Sequence, residues 1–288
     1  MMRALAELAM KGRTQAVLIA VLCIGSVVLA WVGAAVVALV ILRKGINQGF
    51  VVLMWSALPA LYITFWWGDT GPLSSLLGAA VVASVLRETV SWPLALMAAA
   101  FCGLLTSGGL VTLGSGILEQ ALQLMAQFQK LMLDMLEQSG AGQGVDVQAA
   151  LPTAVEIAGV LGLSTTYVVI FAVMLARWWQ SLLYNPGGFK SEFLGLRLPP
   201  LMTSLLIAVG VAVSILGPEY RFWALILYTP LVIAGFALIH AVMKAKSMGK
   251  GWLVLFYAGW LLLYPLQLGL LLLAVADSWV HFRGRLKV

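Results

Sequence analysis

Glu156 is the first residue of this sequence to examine for chemistry. It lies in "PTAVEIAGVLG", one turn after Pro152 and beside Gly159 and Gly162, within an apolar run. A charge in hydrocarbon is costly, so an ionisable side chain there is by default a binding or relay group. A second group follows from spacing. Tyr257, Trp260, Tyr264 and Gln267 stand three, four and three residues apart. On one continuous helix they would place two hydroxyls, an indole and an amide on one face. Aromatic walls with a few polar groups suit a flat organic ligand, although the same spacing serves a packed interior or an interfacial belt. Together with a Met-rich helix on the same predicted side, these residues define an expected outward-opening cavity. It would lie between the Glu156 helix and the C-terminal arms.

The remaining ionisable residues have plainer readings. His240 snorkels or hydrogen-bonds near a helix end, and Arg87-Glu88 sits at a loop. Asp69 in "WWGDTGP" is a turn residue, and Asp277, ahead of "SWVHFRGR", pairs with a nearby cation. Catalysis has little to stand on. "TLGSG" and "LLTSGG" resemble serine nucleophile loops, but the sequence has no G-x-S-G of the rhomboid type, no HExxH, no paired aspartates at intramembrane-protease spacing and no Walker A. Cys23 and Cys102 show no metal-ligand spacing. The expectation is a protein with no catalytic residues, no metal and no cofactor.

The elements that must position these side chains are transmembrane helices. Of 288 residues, 62% are hydrophobic and 10% charged, with a mean hydropathy of +1.02; soluble chains carry about a quarter charged residues. The apolar runs are continuous rather than alternating, which excludes a β-barrel. They cover 14–42, 46–67, 71–86, 91–113, 151–184, 200–217, 222–243 and 251–276, joined by short links. The reading is an all-α, polytopic membrane bundle forming one integral domain over 1–288, with 114–150 an amphipathic helix-and-loop insertion. The net charge of +6 comes from cations between apolar runs, so it serves topology and lipid headgroups rather than nucleic acid.

Counting those cations tests the topology. If every run crosses once, eight cations fall on one side and nine on the other, which is no bias. If 14–42 bends near Gly25 to Gly33, and 251–280 bends around Pro265, both termini change sides and the count becomes fifteen against two. Arms of about 14 residues reach only about 21 Å against a core of about 30 Å, so they must tilt or extend into the interface. The expectation is about eight to ten transmembrane arms, both termini cytoplasmic, in a bacterial inner membrane.

Three further stretches carry alternatives. The helix 116–138, "GILEQALQLMAQFQKLMLDMLEQ", sets Glu119, Gln123, Gln127, Lys130, Asp134 and Glu137 opposite Leu118, Leu122, Met125, Phe128, Met132 and Met135. Its acidic balance, with Asp146, places it on the extracytoplasmic side. There it lies on the bundle or bilayer, roofs the pocket, or meets another subunit. The segment "RWWQSLLYNPGGFKSEFLGLRLPP" places Trp178 and Trp179 at the headgroup level, then a Pro-Gly turn and cations; it is a boundary or a docking loop. Ala16 and Ala20, and then Ala30, Ala34 and Ala38, are spaced four apart, which lets helices approach closely within the chain or against a partner.

The order of short arm, bend, arm, then "LRKGINQGF", resembles the YybS-like family of bacterial membrane proteins of unknown function. "ARWWQSLLYNPGGF", followed by "LRLPP", and the ending "YPLQLGLLLLAVADSWVHFRGR" are similar to its proteobacterial branch. That family is grouped with the S components of energy-coupling-factor transporters. The resemblance implies capture of a small molecule and association, through an alanine face, with a membrane coupling protein and ATPase subunits. The alternative is a non-transport scaffold or assembly factor, with an intramembrane enzyme a distant third. The oligomeric state is not legible.

Overall fold

A computed structural model describes residues 2–138 and 151–285. The "SGAGQG" stretch, Asp146 and Lys287 lie outside the described residues, as do the side chains of Glu137 and Arg285. Among the described residues every regular element is helical. After a short amphipathic α1 (Met2–Lys11), the arms are α2 (Arg13–Gly25), α3 (Ala30–Lys44), α4 (Ile46–Trp67), α5 (Gly71–Thr89) and α6 (Trp92–Leu113). The amphipathic α7 (Ser115–Gln138) precedes α8 (Ala154–Tyr184) and the short α9 (Gly188–Gly195). The remaining arms are α10 (Pro200–Ile215), α11 (Arg221–Ala245), α12 (Lys250–Leu262) and α13 (Tyr264–Val280), with α14 (Phe282–Arg285) at the end. Among the described residues five helices are long and apolar enough to cross a membrane, or up to seven if each bent pair counts as one span. The chain is a multi-pass membrane bundle in which α2, α10, α12 and α13 are each shorter than a full span, and the 19-residue α5 is long enough but less apolar.

The bend expected in 14–42 is present. Gly25 ends α2, Ser26 is extended, and one 3₁₀ turn over Val27–Leu29 starts α3. The two arms form a hairpin, because Lys44 Nζ donates to Met10 O at 3.2 Å and Arg13 Nε to Gln48 Oε1 at 3.2 Å. Small residues permit it: a Cβ on Gly33 would come within 2.8 Å of the Ile24 side chain. Ala16, Ala20, Ala30, Ala34 and Ala38 are all buried inside the chain. They serve internal packing, and this alanine face is not presented to a partner. α3 is the central helix, apolar on every side and packed by α2, α4, α5 and α8, with Val32 to Leu42 buried throughout.

α6 and α8 meet through a second small-residue seam. Gly103 and Ser107 on α6 face Ala158, Gly162 and Thr166 on α8, and a Cβ on Gly103 would come within 2.6 Å of Gly162 O. Ser107 Oγ donates across the seam to Ala158 O at 2.9 Å. Without a hydrophobic force between helices in lipid, such close approach and interhelical hydrogen bonding are what hold them together.

The C-terminal run also turns back. Leu263 is extended, Pro265 sits in the first turn of α13, and α12 and α13 are bent by 111°. A proline cannot continue α12, because it lacks the N–H and clashes with the preceding turn. α12 runs antiparallel to α11, with Tyr257 beside His240 and Trp260 against Phe236. α13 then returns to the region of Arg197, whose guanidinium donates to Asp277 O and Ser278 O.

These two reversals bring the terminal segments to the end of the bundle that holds Arg43 and Arg87, and several cations there bind main-chain carbonyls. Arg87 Nη1 donates to Ile41 O and Leu42 O at 3.1 and 2.7 Å, closing the C-terminus of α3. Arg43 covers the Tyr184 ring at 4.1 Å. Arg283 donates to Leu194 O and Ala234 O. The segment 177–200 builds the floor of this end. Gly187, at φ +89, makes the turn into α9, a conformation glycine adopts without steric cost. Arg177 forks onto Glu192, with Nε–Oε2 at 2.9 Å and Nη2–Oε1 at 2.6 Å, and Trp92 Nε1 donates to the same carboxylate at 3.0 Å. Burial alone would raise the Glu192 pKa; the Arg177 and Trp92 hydrogen bonds outweigh it and hold the carboxyl below its usual range. Trp178 is partly exposed, but Trp179 is fully buried. Adjacent residues on a helix point about 100° apart, so one indole faces outward while the other packs inside the bundle.

Candidate functional site

The expected pocket residues do not converge. Glu156 is the third residue of α8 and completes a capping box: Thr153 N donates to Glu156 Oε2 at 3.0 Å, and Glu156 N to Thr153 Oγ1 at 3.1 Å. Its other oxygen lies 3.2 Å from Arg221 Nη2. The carboxylate is therefore a helix cap with a counter-ion, not an unpaired charge in hydrocarbon.

The aromatic group packs against a different part of α11. Glu156 is beside Arg221 and Trp260 beside Phe236, positions separated by about 22 Å at 1.5 Å per residue. The break at Leu263 also splits the stripe: Tyr257 and Trp260 end α12, while Tyr264 and Gln267 begin α13. Trp260 packs edge-on to Phe236 at 4.9 Å, and Tyr257 Oη is 3.4 Å from His240 Nε2. Gln267 Nε2 donates to Trp260 O at 3.0 Å, and Tyr264 points outward. The group is a contact cluster at the surface of α11, with Tyr257 and Tyr264 both exposed. α7 also departs from the expected lid. Its first turns pack on Leu110, Ile157 and Ala158, whereas Leu124, Phe128, Leu131 and Met135 are exposed.

A cavity forms instead at the end opposite the cations. The hairpin turn after α2, the α4–α5 turn and the middle of α8 enclose about 230 Å³. Trp31, Asp69, Thr70, Ser75, Ser164 and Thr165 supply its polar and aromatic lining. The local sequence explains each wall. Val27–Leu29 forms a 3₁₀ turn that swings Trp31 inward. Gly68, at φ +67, ends α4, and Asp69 Oδ1 accepts the Gly71 N–H at 2.8 Å to start α5. Thr64 Oγ1 donates to Asp69 O at 3.1 Å and fixes that turn against α4. Ser74 Oγ and Thr165 Oγ1 are 3.1 Å apart, joining α5 to α8 at the cavity wall. α7 overlies the rim, since a Cβ on Gly68 would come within 2.8 Å of Gln120 Oε1.

Among the described residues Asp69 forms no ion pair. One carboxylate without a cation, an indole and several hydroxyls are chemistry for a small solute bearing a positive or hydrogen-bond-donating group. No group of three or more His, Cys, Asp or Glu residues among the described residues could hold a metal ion. The role of Asp69 as a turn residue was legible from "GDTGP"; that the turn faces a cavity depends on Trp31 and Thr165, which are remote in sequence. No protein-family model, curated protein or solved structure matches the chain.

Proposed function

We propose that this protein captures a small cationic or hydrogen-bond-donating solute in the Asp69 cavity. The observation that carries the reading is a carboxylate without a counter-ion in a cavity of about 230 Å³, beside Trp31 and Thr165. The positive-inside rule supports a cytoplasmic position for the end bearing Arg43, Arg87, Arg177 and Arg197. The cavity then opens toward the outside of a bacterial inner membrane, with both termini inside. The YybS-like, S-component-like resemblance fits this reading and adds a coupling protein and ATPase subunits as partners. Such partners would use a surface other than the buried alanines.

The test is thermal stabilisation of the purified chain by a panel of small cationic, neutral and anionic solutes. A binding cation at a hundredfold excess over its dissociation constant should add about 2.7 kcal/mol. Asp69→Asn should weaken binding of that cation at least tenfold while leaving the unliganded stability within about 1 kcal/mol, because the amide oxygen still accepts the Gly71 N–H. Equal stabilisation of both forms, or none by any solute, would remove the reading.

The second reading, a membrane scaffold or assembly factor, draws on α7. Its exposed Leu124, Phe128, Leu131 and Met135 are spaced as one helix face. Pulldown from native membranes separates the two: co-purifying ATPase and coupling subunits favour capture, and unrelated membrane complexes favour scaffolding.

A further inference from the structure

The end that gathers the cations contains a second cavity, of about 380 Å³, between the α9–α10 link, the C-terminus of α11 and the α13–α14 corner. Ser191, Arg197, Lys244, His281 and Arg283 line it. The charges do not cancel. Arg283 is matched by Asp277, with Nε 3.3 Å from Oδ2 and both side chains under a tenth exposed. Arg197 gives Nε and Nη2 to the carbonyls of Asp277 and Ser278, at 2.9 and 2.7 Å, which leaves Nη1 to donate elsewhere, and its charge meets no carboxylate among the described residues. Lys244 is exposed and forms no ion pair among the described residues. Burial pushes the Arg283 pKa down, Asp277 draws it back up, and the nearby Arg197 pushes it down again, so the two guanidinium groups repel within one cleft.

Topology alone does not require this arrangement, since a cation anywhere at this end would satisfy the positive-inside rule. Two uncancelled cations, an imidazole and a hydroxyl around one recess form an anion cradle. Arginine and lysine beside one another suit a phosphoryl group, which presents several acceptor oxygens to a planar fork and a point charge. Basic pockets between transmembrane helices at a cytoplasmic interface take lipid headgroups of this kind.

We propose that the Arg197–Lys244–His281 cleft binds an anionic phosphoryl group, supplied by an acidic phospholipid headgroup or by free phosphate. This site is independent of the Asp69 cavity.

The test uses the full chain purified in non-ionic detergent, with bound lipid read by native mass spectrometry and stability by thermal unfolding. The probes are phosphatidylglycerol, phosphatidylcholine and inorganic phosphate. Phosphatidylglycerol should be retained and should raise the unfolding midpoint, with phosphatidylcholine doing neither, if the source is a headgroup. Stabilisation by millimolar inorganic phosphate without lipid retention would assign the same site to free phosphate. In either case Lys244→Gln should weaken binding about tenfold, and Lys244→Gln with His281→Asn further. Lys244→Gln removes an exposed side chain with no described hydrogen bond, and asparagine tolerates the left-handed backbone of His281 at φ +54. Their unliganded midpoints should therefore match the parent. The proposal is overturned if the parent chain binds neither phosphatidylglycerol nor inorganic phosphate, if it retains phosphatidylcholine as well as phosphatidylglycerol, or if Lys244→Gln binds as tightly as the parent.

Discussion

Replacing Gly162 with valine is expected to separate α6 from α8 and to lower stability by about 3 kcal/mol, the upper part of the usual overpacking cost. A Cβ at Gly162 would meet Ser107 Oγ and come within 2.5 Å of Gly103 O, and the latter is main chain that cannot rotate away. The seam is one of the contacts that hold α8, which carries Thr165 and Ser164, in the bundle. Thermal unfolding followed by tryptophan fluorescence should show the loss. Gly108→Ala and Gly109→Ala, on the same helix α6, provide the contrast, because a Cβ at either position meets nothing within 4 Å. They should be neutral, or stabilising by about 0.5 kcal/mol through reduced backbone entropy. A Gly162→Val chain as stable as these two would contradict the seam.

Asp277→Ala should cost about 3–5 kcal/mol, the range for breaking a buried ion pair. The carboxylate is 3% exposed and faces Arg283 Nε at 3.3 Å. It also accepts the Phe282 N–H at 3.0 Å. Its removal leaves the Arg283 guanidinium buried and uncompensated, and releases the corner that returns α13 to the basic end. Limited proteolysis should then cut the C-terminal arms first. Asp277→Ala combined with Arg283→Met should recover much of the lost stability, because the double variant leaves no charge behind. No recovery would mean that the corner depends on the carbonyl contacts of Arg283 rather than on its charge.

The sequence carried the class and both reversals of the chain. Continuous apolar runs specify membrane helices, and the imbalance of cations, twelve against five, appears once 14–42 is allowed to bend and reaches fifteen against two when 251–280 bends as well. Gly25 and Pro265 are the local reasons that they do. The pairing of Asp277 with a cation was legible for the same reason: a lone carboxylate beside "HFRGR" needs a partner. The capping role of Glu156 is also carried by local spacing, since Thr153 and Glu156 stand three residues apart as a capping box requires. The aromatic stripe failed on its own premise, because the proline that turns the chain back also breaks the helix on which the four residues would align.

What the sequence could not supply is the meeting of remote parts. Glu192 stands among residues that read as a loop, and nothing local marks it as the anchor of Arg177 and Trp92, 15 and 100 positions away. The Asp69 cavity likewise needs the 27–31 turn, the 68–72 turn and one face of α8 at the same height. Helix lengths and small-residue seams fix that height only in three dimensions.

The most direct measurement of the central claim, an outward-facing cavity at Asp69, is labelling of Ser164→Cys. Ser164 lines the cavity and is exposed. Cys23 and Cys102 are the two native thiols and would be replaced by serine or alanine. The account predicts that a membrane-impermeant maleimide reaches Cys at position 164 in intact spheroplasts, and that a cysteine placed at exposed Lys190 is labelled only after the membrane is opened. Labelling of position 164 only after opening, or no labelling at all, would contradict it.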